Sequence, residues 1–168
     1  MTELVVCNAG PIIHLDQLGC LDLLSDFPSL LVPNEVWQEV LKHRPHALPQ
    51  DFATLVPERQ APDAKLAALC QAFSLHAGEG ACLALLAARD GGMFLTDDAG
   101  ARLVAEEMGI EVHGTIGALI RSVRRGKRAP QEIIQMLDEL PNRSTLFIEN
   151  ALLEDIKRKL RKEWHLPG

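Results

Sequence analysis

The chain has 168 residues, 47% of them hydrophobic, with 17 Lys and Arg against 23 Asp and Glu and a formal net charge of −6. That length and apolar content predict one domain, residues 1–168, with a sizeable core, and they exclude a disordered or low-complexity polypeptide. The opening Met-Thr-Glu-Leu-Val-Val lacks the charged region and apolar run of a signal peptide, and no apolar stretch is long enough to span a bilayer, so a cytoplasmic protein without a membrane partner is expected.

In chain order, strands are expected at Leu4–Cys7, 30–32, 93–96 and 110–113. They are short and lack strict polar alternation, as in a parallel sheet covered on both faces. Helices are expected to start at Pro11, Asn34, Asp63, Gly78, Asp98 and Thr115. Pro11 suits a first helical turn, and Gly19 can end that helix. Residues 43–62 are rich in proline and read as loop, with an edge strand at Thr54–Val56. Two further helices follow, at 130–140 and roughly 146–164. The alternation of strand and helix gives an α/β architecture. Cys7, Cys20, Cys70 and Cys82 show no CxxC spacing and read as buried reduced thiols, and the six dispersed histidines argue against a His-based zinc site.

Isolated polar and acidic residues stand where these segments end. Val5-Val6-Cys7 runs into Asn8, and Met93-Phe94-Leu95-Thr96 runs into Asp97-Asp98, each a buried strand opening onto a polar turn. Beyond the carboxyl ends of the strands is where open α/β sheets bind ligands. From Glu79, the residues three, four and seven positions on are Cys82, Leu83 and Leu86, which puts it in the middle of an apolar helix stripe. No Lys or Arg stands four residues away, and a buried unpaired carboxylate costs several kcal/mol. Two readings stay open: a bound cation removes that cost, or the backbone N–H groups of a helix beginning at Gly78 do. Glu39 flanks the Val36/Val40 stripe and is a better ligand candidate than Glu35, which is turned further outward.

Charge is uneven. Residues 1–120 carry 6 Lys or Arg against 16 Asp or Glu, whereas residues 121–168 carry 11 against 7. The basic clusters are Arg121, Arg124, Arg125, Lys127 and Arg128, then Lys157, Arg158, Lys159, Arg161 and Lys162. Such clusters neutralise phosphates, and the first is the candidate nucleic-acid-binding surface. The second follows Glu154 and Asp155 at helical spacing and reads equally as a solvated helix face. With no Tyr, five Phe and two Trp, an aromatic base-stacking platform is not expected.

Taken in order, Val5-Val6-Cys7-Asn8-Ala9-Gly10-Pro11-Ile12-Ile13, Val32-Pro33-Asn34-Glu35-Val36 with Glu39, Ala77-Gly78-Glu79, Leu95-Thr96-Asp97-Asp98 and Gly114-Thr115-Ile116-Gly117 resemble the PIN (PilT N-terminus) domain, in the uncharacterised PIN-like branch related to VapC-type toxin ribonucleases. The resemblance covers about residues 4–125. It implies a three-layer PIN-like α/β fold, with a central parallel sheet of about four to five strands flanked by helices, a core over about 1–125 and a helical basic tail over about 126–168. It further implies a Mg²⁺- or Mn²⁺-dependent endoribonuclease, the toxin of a toxin–antitoxin pair, with RNA as substrate, an antitoxin protein as partner and a homodimer as a compatible assembly. By position, Asn8 falls on the family's first strand-end aspartate, Glu39 on its helix glutamate, Glu79 on its second helical acid, and Thr96 and Asp98 on its threonine-x-aspartate. The implied metal ligands are Asn8, Glu39, Glu79, Asp97 and Asp98; Glu39, Glu79 and Asp98 are the implied catalytic residues, and Thr96 supports them. Asparagine keeps an oxygen donor suited to a hard cation but lacks one negative charge. Ala9 and Gly10 replace hydroxyl residues common in the family, and Ala81 replaces a frequent acid. Two other readings follow from the same residues: a PIN domain that binds RNA or a protein without cutting, and an unrelated doubly wound α/β enzyme such as a phosphotransfer protein.

Overall fold

The structure, a computed structural model, describes residues 3–168. Five parallel strands, β1 (Leu4–Cys7), β2 (Ser29–Pro33), β3 (Thr54–Val56), β4 (Met93–Leu95) and β5 (Glu111–His113), form one sheet in the order β3-β2-β1-β4-β5. The central strands β1, β2 and β4 carry apolar residues on both faces because helices cover both; Val5, Val6, Cys7, Val32, Phe94 and Leu95 are all buried, whereas Thr54 and Leu55 of β3 and Glu111 of β5 at the two edges are exposed. In the central strands Val6 pairs with Leu31 on one side and Phe94 on the other, and Cys7 pairs with Leu95. That register brings the residues just past β1 and β4 side by side at the carboxyl edge, and Asn8 N–H donates to the Leu95 carbonyl at 2.9 Å. The sheet order reverses direction between β1 and β4, which is where a crevice opens in a doubly wound sheet.

The helices are α1 (Ala9–Gln17), α2 (Asn34–His43), α3 (Ala64–Ala72), α4 (Ala77–Ala88), α5 (Ala99–Glu107), α6 (Thr115–Arg124), α7 (Pro130–Arg143) and α8 (Asn150–Glu163). None is long and apolar enough to cross a membrane among the described residues. The three-layer α/β arrangement is the expected one, and the edge strand Thr54–Val56 lies where the proline-rich segment predicts it. Boundaries move by one or two residues for definable reasons. The first helix begins at Ala9, before Pro11, because Asn8 caps it. Asp63 and Asp98 are caps preceding α3 and α5. Gly19, at φ +71, follows the end of α1 in the left-handed conformation that favours glycine. At Gly92, φ is +139 and a β-carbon would meet the Leu4 carbonyl oxygen at 2.7 Å, so only glycine lets the chain turn from α4 into β4 this close to β1.

The largest departure is in the tail. The last helix starts at Asn150, four residues later than expected, because residues 144–149 lie outside any helix, with extended backbone at Ser144 and Glu149. There Ser144, Leu146 and Ile148 are half-buried while Thr145, Phe147 and Glu149 are exposed, a period-two pattern. The Gln17 side-chain oxygen holds this strap by accepting from Thr145 N–H at 2.8 Å and from the Ser144 hydroxyl at 3.0 Å. Beyond it, α8 docks on α7 through Lys157, which is buried and pairs with Asp138 at 2.7 Å and Glu154 at 2.6 Å. All four cysteines are free; Cys7, Cys20 and Cys82 are buried, and burial pushes the Cys20 thiol up to about 11.

Candidate metal and nucleic-acid site

Each acid reaches the carboxyl edge by a different local device. Asn8 ends β1 and is almost wholly buried; its Oδ1 accepts from Ala9 N–H at 2.9 Å, and its Nδ2 donates to the Thr96 hydroxyl at 3.2 Å. Thr96, also buried, accepts in addition from Asp98 N–H at 3.2 Å. One hydroxyl therefore ties the residue after β1 to the acid that opens α5. Asp98 caps α5, its Oδ1 accepting from Ala101 N–H at 2.7 Å, which leaves Oδ2 without a protein partner among the described residues.

Glu79 follows the second of the two readings open to it. Its Oε2 accepts from His76 N–H at 2.6 Å in a capping arrangement at the start of α4, and its side chain is 14% exposed. Capping engages one oxygen and leaves Oε1 available. Glu39 approaches from α2. The residue is open to solvent along one side, but its carboxyl turns in beside α4, and partial burial, then the negative charge of Glu79, raise it above the ordinary carboxylate value against the lowering effect of His43 and His76.

Gly78 is where Glu39 and Asn8 come closest to α4. A β-carbon there would lie 3.1 Å from Glu39 Oε2, 3.4 Å from Val36 Cγ2 and 3.5 Å from Asn8 Oδ1, so the missing side chain lets α2 and the end of β1 bring two oxygen donors close to α4, in a narrow cradle with Val36 as its apolar side. The donor set is Asn8 Oδ1, the Glu39 carboxylate, Glu79 Oε1 and Asp98 Oδ2, all hard oxygens, which fits Mg²⁺ or Mn²⁺ and not a soft metal. No three His, Cys, Asp or Glu among the described residues are drawn together into a ready-made ligand cluster. Magnesium tolerates this, since it keeps several waters and uses one or two protein carboxylates. Gly78→Ala should fill the cradle while favouring the helix, changing stability by under about 1 kcal/mol. Melting curves with and without Mn²⁺ should show the metal-induced rise disappear in this variant.

Asp97 has a different task. Its Oδ1 accepts from Thr115 N–H at 2.7 Å, and its Oδ2 meets the Thr115 hydroxyl at 2.5 Å and His14 Nδ1 at 2.7 Å. Burial alone would raise this carboxyl, but the hydrogen bonds from His14 and Thr115 outweigh it and hold it below the usual value. Asp97 thus caps α6 from a distance, and Gly114 is required for it, because a β-carbon there would lie 2.6 Å from Asp97 Oδ1. Of the implied ligands, Asp97 is the one with both oxygens committed to the protein.

Asn8, Glu39, Glu79, Asp97 and Asp98 line one open cleft of about 430 Å³ together with Ala9, Gly10, His14, Ala99, Leu146 and Phe147. Sequence reasoning missed His14, the Gly78 cradle and the Leu146–Phe147 wall. Their signal is tertiary: His14 and Asp97 are 83 residues apart, and the strap is held at the cleft by Gln17, 128 residues from Thr145, and by the packing of Leu146 and Ile148 on the core.

The basic cluster lies elsewhere. Arg124 is nine residues along α6 from Thr115, about 14 Å down the helix axis and toward the opposite edge of the sheet. Arg121, Arg124 and Arg125 line a second cavity of about 440 Å³ with Met93, the first residue of β4. Much of their charge is matched: Arg121 and Arg125 pair with Asp26 at 3.2 and 3.3 Å, and Arg121 also stacks over Phe27. Arg124 pairs with Glu163 at 3.6 Å, Arg128 binds both oxygens of Asp22 at 2.9 Å, and Lys127 sits in the turn after α6. In the second cluster Lys157 pairs across to α7, Arg161 reaches Asp138 at 3.8 Å, and Arg158 and Lys159 pair with Asp155.

A comparison with curated proteins finds no match. Residues 4–162 match the model of the family described as DUF3368: PIN domain. That match runs from β1 into the last turn of α8 and takes in every strand and every wall of the acidic cleft, and PIN domains are in general nucleases. On this coverage the chain belongs to the PIN-domain family.

Proposed function

We propose that this protein is a Mg²⁺- or Mn²⁺-dependent ribonuclease that hydrolyses phosphodiester bonds in the acidic cleft. The observation carrying this reading is that Asn8 after β1, Glu39 of α2, Glu79 of α4 and Asp98 at the start of α5 line one open cleft at the carboxyl edge of the sheet. A divalent ion bound there would polarise the scissile phosphate and acidify a water. The chain's own part is positional. Asn8, Glu39, Glu79 and Asp98 hold the ion, Thr96 keeps Asn8 and Asp98 in register, and Asp97, bound to His14 and Thr115, fixes the remaining wall. Natural protein should cut a mixed RNA pool in Mn²⁺ and lose that activity in excess chelator.

In finer form, the protein is the toxin of an antitoxin pair, and the product of an adjoining reading frame should copurify with it on coexpression and suppress cleavage. A second reading, RNA or protein binding without catalysis, is favoured by one observation: Asn8, Glu79 and Asp98 each already accept a hydrogen bond from the protein's own backbone. Thermal denaturation separates the two. A cation held by the folded state alone stabilises it by about 2.7 kcal/mol at a hundred times its Kd. The ribonuclease reading therefore expects millimolar Mn²⁺ to raise the melting temperature by several degrees, and the binding reading expects no change.

A further inference from the structure

We infer that Phe147 is a base-stacking residue of the cleft, receiving one unpaired nucleobase next to the phosphate held at the acidic wall; this rests on the reading of the cleft as an RNA site. Phe147 is 90% exposed, the most exposed of the large hydrophobic side chains among the described residues. Burying such a ring is worth about 1.5–3 kcal/mol, so leaving it in water forgoes a substantial gain. Its outward position is built in. Leu146 and Ile148 on either side pack against the core, and Gln17 pins the strap one and two residues beyond Leu146 toward the amino end, so the alternating burial turns Phe147 outward, where it lines the cleft.

The cleft then has two chemically distinct walls. Asn8, Glu39, Glu79 and Asp98 offer charge and oxygen donors suited to a cation bridging to phosphate, while Leu146 and Phe147 offer an apolar, aromatic surface. A nucleotide has the same division, an anionic phosphate and a flat base with a π-face. Stacking on a single ring needs no base-specific hydrogen bond, so the contact tolerates any base but requires it to be unpaired.

The test uses the full chain in Mn²⁺ with a fluorescein-labelled single-stranded oligoribonucleotide. Binding is read by anisotropy, cleavage by single-turnover rates, and assembly state by sedimentation. Phe147→Ala and Phe147→Leu should weaken binding roughly 5- to 150-fold, the range for one lost base stack. Phe147→Trp should restore the affinity and show its indole fluorescence quenched by RNA. Leucine is the informative variant, because it keeps an apolar surface and removes only the π-face. Equal RNA affinity in all four proteins, with cleavage intact, overturns the stacking role and leaves the ribonuclease reading standing. Natural protein that neither binds nor cuts RNA overturns both. Variants that dissociate a dimer in sedimentation, with affinity following assembly state, make Phe147 a contact with a second copy or another protein and overturn the inference.

Discussion

Asp98→Asn should leave the protein folded and lower its Mn²⁺-dependent RNA cleavage by on the order of 10²–10³, the usual cost of deleting one group that stabilises charge at a reacting centre. The separation of effects is possible because asparagine caps a helix as well as aspartate does, so the bond to Ala101 N–H survives while the charge on Oδ2 is removed. The partner experiment is Asn8→Asp. Asn8 Nδ2 now donates to the Thr96 hydroxyl, and an aspartate oxygen in its place would accept from that hydroxyl instead, since threonine both donates and accepts. The fold should therefore tolerate the new charge, Mn²⁺ should bind more tightly, and cleavage should rise severalfold. Single-turnover rates for the natural chain, each single variant and the double variant decide the matter. Asp98→Asn should silence both backgrounds, and cleavage that survives it would place the chemistry outside this cleft.

Asp97→Ala should be the most destabilising change at the cleft, by about 3–5 kcal/mol, because it strands the Thr115 N–H, the Thr115 hydroxyl and His14 together. The dependence on pH has a definite sign. Asp97 is held below its ordinary value of 3.8 in the folded chain, so its contribution is fully present above that value and is lost as pH falls through the lower folded one. Urea unfolding should show a constant gap between natural and variant proteins at neutral pH, narrowing as the medium drops below pH 3.8. A gap that widened in acid would mean the carboxylate is not what holds the start of α6.

What the sequence disclosed divides along physical lines. The ends of β1 and β4, the cap at Asp98 and the turn glycine at Gly19 were readable because each depends on residues within one helical turn. Glu79 sat at the right place, yet its conformation was ambiguous, since apolar periodicity reports which way a residue faces and not which donor its carboxylate meets. Asp97 could not be told from Asp98 as a ligand without knowing that Thr115 and His14 fold against it. Net charge left a similar gap: the basic run after residue 120 shows as a cluster in the sequence, but that Asp22, Asp26 and Glu163 arrive from distant segments to pair with four of its arginines is tertiary information. Aromatic counting gave no warning of Phe147, because one ring at a cleft is a matter of placement and composition carries none.

The rotatable hydroxyl of Thr96 has an evolutionary consequence. Aspartate and asparagine codons differ at a single nucleotide, and at position 8 either residue satisfies the same two neighbours once that O–H swings round. The exchange therefore keeps its hydrogen bonds, and the remaining cost, one more buried negative charge, is the one a bound cation offsets. A lineage carrying this architecture could turn the proposed nuclease activity down, or back up, in one mutational step at position 8.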